Sequence, residues 1–211
     1  MGDDLPGTLV VLSGPSGVGK TTVAQRLVDG GGYVRSVSVT TRERREGEVD
    51  GRDYRFIARA EFEQLQADGE LVESAEVHGK LYGTPKEPVR QALRRHMACL
   101  LVIDVHGGQQ VRGHGYDSLL VFLAPPDQLE LAKRLAQRGT EDHAQQTRRL
   151  QRVEMELRLA AEIPYNHIVV NDNLERCVAE VHQHVQEHRR RLQERKAAGQ
   201  TLYPGLDMET A

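Results

Sequence analysis

The chain has 211 residues, 38% hydrophobic and 28% charged, enough for one ordinary core and too short for two full domains. A net charge of −3 withholds the broad basic field that sequence-independent nucleic-acid binding needs. The longest apolar run, Met97 to Ile103, ends after seven residues, against the roughly 20 of a bilayer span, so neither nucleic acid nor membrane is an expected partner. The start, Met1-Gly2-Asp3-Asp4, is acidic without an apolar signal core, and Cys99 and Cys177 are the two cysteines. The expectation is a cytoplasmic protein with reduced, buried thiols.

Thr8 to Leu12 is a short apolar run that stops at a glycine cluster, the pattern of a buried parallel strand. A helix is expected over Thr22–Val28, stopped by Gly30-Gly31-Gly32, then a second strand over Val34–Val39. From Thr40 to Gly83 the texture is charged and turn-rich, with strand candidates at Tyr54–Ile57 and Glu70–Val77 and a helix from about Arg59 to Ala67. Thr84-Pro85-Lys86-Glu87 has the residues of a capping box with proline at the first helical position, predicting a helix from Thr84 to about His96. Strands are expected at Cys99–Ile103 and Leu119–Leu123, and Asp127 with Glu130 repeats the capping pattern for a helix to about Gln137. Leu150, Val153, Leu157 and Ala160 share a helical face that ends before Pro164. His167–Val170 closes the set of strands, and Leu174 to Val185 line a final helix. Beyond Arg189 the pattern dissolves into polar sequence, expected to be unstructured. Strands alternating with helices mean an α/β fold, a parallel sheet covered on both faces.

Gly14-Pro15-Ser16-Gly17-Val18-Gly19-Lys20-Thr21 fits G-x-x-x-x-G-K-[ST] and sits after a strand and before a helix, the context its mechanism requires. Glycines let main-chain N–H groups turn inward around a phosphate chain, and the helix that follows, through Thr22, points its positive end at the same anions. Lys20 is expected to reach the β- and γ-phosphates and the Thr21 hydroxyl to hold Mg²⁺. Such a loop implies a nucleoside triphosphate and leaves the acceptor open.

The acceptor must be read from the insert. Arg42 and Arg45 lie three residues apart in a turn-rich segment, with the Ser38 and Tyr54 hydroxyls close in sequence. Two guanidinium forks and two hydroxyls could hold one dianionic phosphate; a solvated charged loop would have the same composition. Of the 28 basic residues 23 are arginines, a bias that genomic base composition explains as well as phosphate binding does. Glu73 is a lone carboxylate among Leu71, Val72, Ser74 and Ala75, either a buried recognition group or an edge-strand charge facing water.

The stretch from Gly14 to Asp172, roughly three quarters of the chain, resembles the guanylate kinases. The most specific part is Ser38, Thr41-Arg42, Arg45, Gly47-Glu48, Gly51 and Asp53-Tyr54 in that spacing. The resemblance implies a P-loop NTPase-type parallel sheet flanked by helices, with an inserted small mixed α/β lobe for a nucleoside monophosphate and a lid. It implies a core of residues 1–36 and 86–190, a lid at about 134–150, a GMP-binding lobe of 37–85 and a polar tail of 191–211. The implied activity is transfer of the ATP γ-phosphoryl group to GMP or dGMP, with Mg²⁺ as cofactor. Ser38, Arg42, Arg45, Tyr54 and Tyr82 would hold the GMP phosphate; Glu73 and Thr84 would read guanine, with Asp104 near the base. Lys20, Arg42, Arg134, Arg138 and Arg149 would act on the transferring phosphoryl group, and Asn171 would join the P-loop residues on the ATP side. The same arginines read otherwise as helix-surface charge, and Asn171-Asp172 as a helix-capping pair.

Guanine offers N1–H and N2–H₂ as adjacent donors, which an ionised carboxylate matches with two acceptors. Adenine would leave Glu73 unpaired, and a polar site of this kind rejects the wrong base by roughly 10⁴. The chain departs from the family pattern at Val102, where an acidic residue is usual, at His106 for glutamine and at Asp127 for serine. Three other readings fit parts of the pattern. A kinase for a sugar phosphate such as ribose bisphosphate would give Glu73 and Thr84 nothing to read. A non-catalytic guanylate-kinase-like module binding a phosphopeptide would have no need of Lys20 and Thr21. A P-loop GTPase would want an N-K-x-D motif, which the chain lacks.

Overall fold

A computed structural model describes residues 5–77, 79–127, 130, 131, 133, 134, 153, 155–206 and 208. Strand β1 (Thr8–Ser13) is buried along its whole length. Its side chains feed two cores in alternation, Leu9 and Val11 on one face and Val10 and Leu12 on the other. A strand apolar on both faces is stable only inside a covered parallel sheet, and each such side chain contributes about 1.5–3 kcal/mol by burial. β1 is the middle of a five-stranded parallel sheet with β2 (Tyr33–Arg35) and β7 (Ala98–Val102) on one side and β8 (Ser118–Ala124) and β9 (His167–Val170) on the other.

Helices α1 (Lys20–Asp29) and α5 (Leu174–Ala197) share one core with the sheet through Val23, Leu27, Cys177 and Val181. Helices α3 (Lys86–Arg94) and α4 (Val105–Gly113) share the other through Val89, Leu93, Val105 and Val111. Strand order reverses around β1, which places the ligand crevice beyond its carboxyl end, where the glycine-rich loop begins.

The insert builds a second sheet in the order β4 (Arg55–Phe56), β3 (Val39–Thr40), β6 (Lys80–Pro85), β5 (Leu71–Val77), with α2 (Arg59–Ala67) packed on it. β5 and β6 form an antiparallel hairpin, and β6 also pairs antiparallel with β3. Gln110 of α4 ties the edge of β5 to the core, accepting from Ser74 N–H at 3.0 Å and donating to its carbonyl at 2.7 Å.

Three expectations and one alternative reading are corrected. Val34–Val39 is not one strand: Tyr33–Arg35 joins the core sheet and Val39–Thr40 the second, with the chain crossing between them at Ser36–Ser38. Thr84 does not cap α3, because pairing of β6 with β5 runs through Thr84 to Pro85 and the helix begins at Lys86 with no side-chain cap. Asn171-Asp172 does not cap α5; the neighbouring Asn173 does, accepting from Arg176 N–H at 3.0 Å. The described residues after Arg189 are not an unstructured tail. α5 continues to Ala197, Leu192 and Leu206 are fully buried, and the Tyr203 hydroxyl donates to the Gly7 carbonyl at 2.9 Å. Three anchors within the fifteen residues from Leu192 to Leu206 suffice there because the core supplies their pockets.

Asp127 behaves as expected, accepting from Glu130 N–H at 2.6 Å. Both cysteines are free and buried. Among the described residues no helix is long and apolar enough to cross a membrane.

Candidate active site

Gly14, Gly17 and Gly19 all have positive φ, so the loop curls as only glycine does without strain. At Gly14 the need is doubled, since a Cβ there would lie 2.3 Å from the Leu123 carbonyl oxygen. The loop already grips an anion: Ser16 N–H donates to the Glu156 carboxylate at 3.2 Å. The Lys20 ammonium donates back to the Gly14 and Pro15 carbonyls, the second at 3.1 Å, which holds its side chain along the loop. Val18 is fully buried and anchors the loop from below. The Asn171 amide buttresses it, donating to the Val18 carbonyl at 2.7 Å. Thr21 and Thr22 are exposed at the start of α1.

A cavity of about 220 Å³ opens between this loop and the insert; Thr21 and Val102 line it from the core, Ser38, Glu48 and Tyr54 from the lobe. A larger cavity of about 830 Å³ lies beneath the C-terminal segment and has no P-loop or insert residue in its wall. Over the smaller cavity, the Arg42 guanidinium forms a bidentate pair with Glu48, at 2.9 and 2.8 Å, and lies 5.3 Å from the centre of the Tyr54 ring. Glu48 also accepts from Arg45 N–H at 2.8 Å, fixing the turn, while the Arg45 side chain is exposed. Tyr54 and Tyr82 meet edge to face at 6.0 Å. Burial raises the Tyr54 hydroxyl above its ordinary value and keeps it a proton donor.

Behind Ser38 sits the buried pair of the insert. The Ser38 hydroxyl is 3.5 Å from that of Thr84, which donates to Glu73 at 2.6 Å. Glu73 is 6% exposed, so the water-facing reading of this carboxylate does not hold. Burial pushes its carboxyl up to about 7, against the lowering effect of the Thr84 bond, and the charge of Asp104 adds to the rise. Asp104 itself caps α4, accepting from Gly107 N–H at 2.9 Å.

The guanylate kinase family model matches residues 6–188. A guanylate kinase of Thermobifida fusca is 49% identical over 174 residues, 82% of this chain and 88% of that protein. One of Corynebacterium jeikeium is 44% identical over 86% of this chain and 97% of its own. The crystal structure of guanylate kinase from Anaplasma phagocytophilum superposes with a TM-score of 0.72 at 30% identity, covering 88% of each chain. The chain belongs to the guanylate kinase family. Its parallel sheet flanked by helices is the P-loop NTPase-type fold of that family.

Guanylate kinase membership gives context to the remaining residues. Arg134 donates to Glu130 at 2.9 Å and to the Asn171 carbonyl at 3.0 Å, so it touches the loop that buttresses the P-loop. Arg138 and Arg149, and most of the lid at about 134–150, lie outside the described residues. Three contributors were missed in the sequence. Glu156 is one carboxylate among several on a polar helix face. Glu48 stands in the acceptor motif, but its role as partner of Arg42 shows only in the fold. Ser36 is buried and lines the cavity, and its hydroxyl has no hydrogen-bond partner among the described residues. Only the fold, by crossing the chain between sheets at Ser36–Ser38, turns that hydroxyl into the cavity wall.

Proposed function

We propose that this chain transfers the γ-phosphoryl group of ATP to GMP, and to dGMP, giving ADP and GDP. One observation carries the assignment of the two sides: the P-loop and the acceptor hydroxyls open onto one cavity, with Thr21 on one wall and Ser38 and Tyr54 on the other. ATP lies along Gly14–Thr22 with Asn171 behind it. The GMP phosphate is held by Ser38, Arg42, Arg45, Tyr54 and Tyr82, and guanine meets Glu73 and Thr84, with Asp104 near the base. In this organisation residues 1–36 and 86–190 form the donor core and 37–85 the acceptor lobe.

The chain's own groups account for the rate. Lys20 and the inward N–H groups stabilise charge on the triphosphate, while Arg42 fixes the acceptor oxygen in line. Phosphoryl transfer has a loose transition state and needs no strong protein base, so none is assigned. Arg134, Arg138 and Arg149 neutralise the equatorial oxygens and close out water, which prevents wasteful hydrolysis. When bound, Mg²⁺ supplies further neutralisation of phosphate charge. The exposed Thr21 hydroxyl on the cavity wall is a hard oxygen donor that suits it, with phosphate oxygens and water completing the shell. Free, buried thiols suit a reducing compartment, and we place the enzyme in the cytoplasm.

A coupled assay of ADP release with GMP, dGMP, AMP, CMP and UMP tests the reading. GMP and dGMP are expected to be turned over and AMP to be used poorly; equal rates with AMP would overturn the role given to Glu73. A sugar bisphosphate used in preference to GMP would move the acceptor to the rival class.

A further inference from the structure

The family model ends at residue 188, and Gly205, Leu206 and Met208 beyond it pack on α3, the helix that follows directly on β6 of the acceptor lobe. After α5 the segment turns back across α3. Lys86 Nζ, Arg90 Nε and Arg94 Nε donate to the main-chain oxygens of Gly205, Leu206 and Met208 at 3.3, 2.7 and 3.3 Å. These donors are four residues apart, a single stripe of the helix. The segment is pinned elsewhere by Asp117 N–H to the Leu202 carbonyl at 2.8 Å, by Tyr203 to Gly7, and by the fully buried Leu206.

Arg90 is shared between this segment and the lobe. Its guanidinium is buried and donates to both Glu70 oxygens, at 2.9 and 3.4 Å, and to Glu87 at 3.5 Å. Glu70 stands immediately before β5, and its carbonyl accepts from Lys86 N–H at 2.9 Å, just after β6. One guanidinium thus fastens the feet of the two strands that carry Glu73 and Thr84. Its Nε has a single donor direction. If the Leu206 carbonyl is withdrawn, the guanidinium loses one of the bonds that orient its plane, and the fork gains freedom to swing relative to Glu70.

We propose that residues 198–206, together with Met208, are a strap that positions the acceptor lobe: by holding Arg90 against Glu70 they set the spacing of β5 and β6, and with it the affinity for GMP. Arg90 and Leu206 are positioning residues and touch no substrate. The inference rests on Glu73 and Thr84 reading the acceptor base. Donor binding at the P-loop shares none of these contacts and is independent of the strap.

The test uses full-length chains. Leu206→Asp puts a carboxylate into an apolar pocket and expels the strap. Leu206→Ala loosens it, Lys86→Met removes one rung at the helix surface, and Leu206→Met preserves the anchor. KM for GMP is expected to rise about fivefold to tenfold in Leu206→Asp, the scale of one lost charge-assisted hydrogen bond. Leu206→Ala and Lys86→Met should raise it by less, KM for ATP should stay within about twofold in all of them, and Leu206→Met should match the parent. If Leu206→Asp does not fold, the other two carry the same comparison. A folded Leu206→Ala and Lys86→Met with parental KM for GMP, or an equal rise for ATP and GMP, overturns the strap. Glu73→Gln is measured alongside: if it raises KM for GMP while the strap variants do not, the strap alone fails. If it leaves KM for GMP unchanged, the base assignment fails and takes the strap's role with it.

Discussion

The Thr84 hydroxyl donates to the Glu73 carboxylate at 2.6 Å, the two side chains meeting across paired positions of the β5–β6 hairpin. This bond reserves one carboxylate oxygen and leaves the other for a ligand. Because burial holds the Glu73 carboxyl up to about 7, the free protein is largely protonated there below neutrality. Guanine needs the ionised form, so GMP affinity is expected to rise as pH goes from 6 to 8, with uptake of GMP releasing a proton at the acid end. Calorimetry in buffers of different ionisation enthalpy measures that proton. The sign for stability is opposite. A carboxyl whose folded value lies above its unfolded one stabilises the fold below about pH 4.5, and this contribution is lost as pH rises towards 7. Glu73→Gln should flatten both profiles, and should weaken GMP use far more than ATP binding.

Lys20→Ala is expected to abolish transfer while GMP binding persists. The ammonium lies along the Gly14–Pro15 carbonyls of the donor loop, whereas Ser38, Tyr54 and Thr84 belong to the acceptor lobe. A loss of turnover of about 10³-fold or more is the scale for removing one preorganised charge from the transition state. Equilibrium binding of GMP to the variant checks the separation of the two sites; equal damage to GMP affinity and turnover would contradict it.

Local chemistry made the donor half readable and left parts of the acceptor half hidden. The P-loop, β1 and the Asp127 cap depend on neighbours in sequence, and their residues say so. The split of Val34–Val39 between two sheets depends on partners, β7 for one piece and β6 for the other, that local alternation does not encode. β6 contains Gly83 and its end reads as the start of helix α3, yet pairing on both sides makes it an interior strand of the lobe's sheet and seats Tyr82 and Thr84. Helix α4 has no signal in the sequence because Gly107-Gly108 breaks a helical pattern; a Cβ at either position would crowd Glu73, Ile103 or Tyr165. The Arg42–Glu48 pair was legible as spacing and became a geometry only once the turn between them closed through Arg45 N–H.

Arg42→Lys is expected to raise KM for GMP by about tenfold or more while preserving charge. Arg42 holds both Glu48 oxygens through two nitrogens in one plane, and a phosphate would be met by the same fork. An ammonium matches one oxygen at a time and loses the stacking against Tyr54 and Phe56, whose ring centres lie 5.3 and 5.6 Å from the guanidinium carbon. Steady-state kinetics over GMP at saturating ATP provide the measurement. A parental KM would assign the phosphate to other groups.

Gly107→Ala separates helix stability from acceptor recognition. Alanine in place of a helical glycine ordinarily adds roughly 1 kcal/mol. Here the new Cβ would sit 3.0 Å from Glu73 Oε2 and 3.1 Å from Ile103 Cδ1, closer than either neighbour tolerates without shifting. The gain in helix propensity and the crowding oppose each other, so the melting temperature is expected to move by no more than about 3 °C. The carboxylate has less freedom: one oxygen is held by Thr84, so it yields by turning the other, the one guanine would use, out of line. KM for GMP should therefore rise about threefold to tenfold with KM for ATP unchanged, a hydrogen bond's worth of affinity lost without loss of fold. Thermal melts and initial rates on the same preparation decide the point. A variant that melts as the parent does and binds GMP equally well would show that Glu73 Oε2 does not face the base.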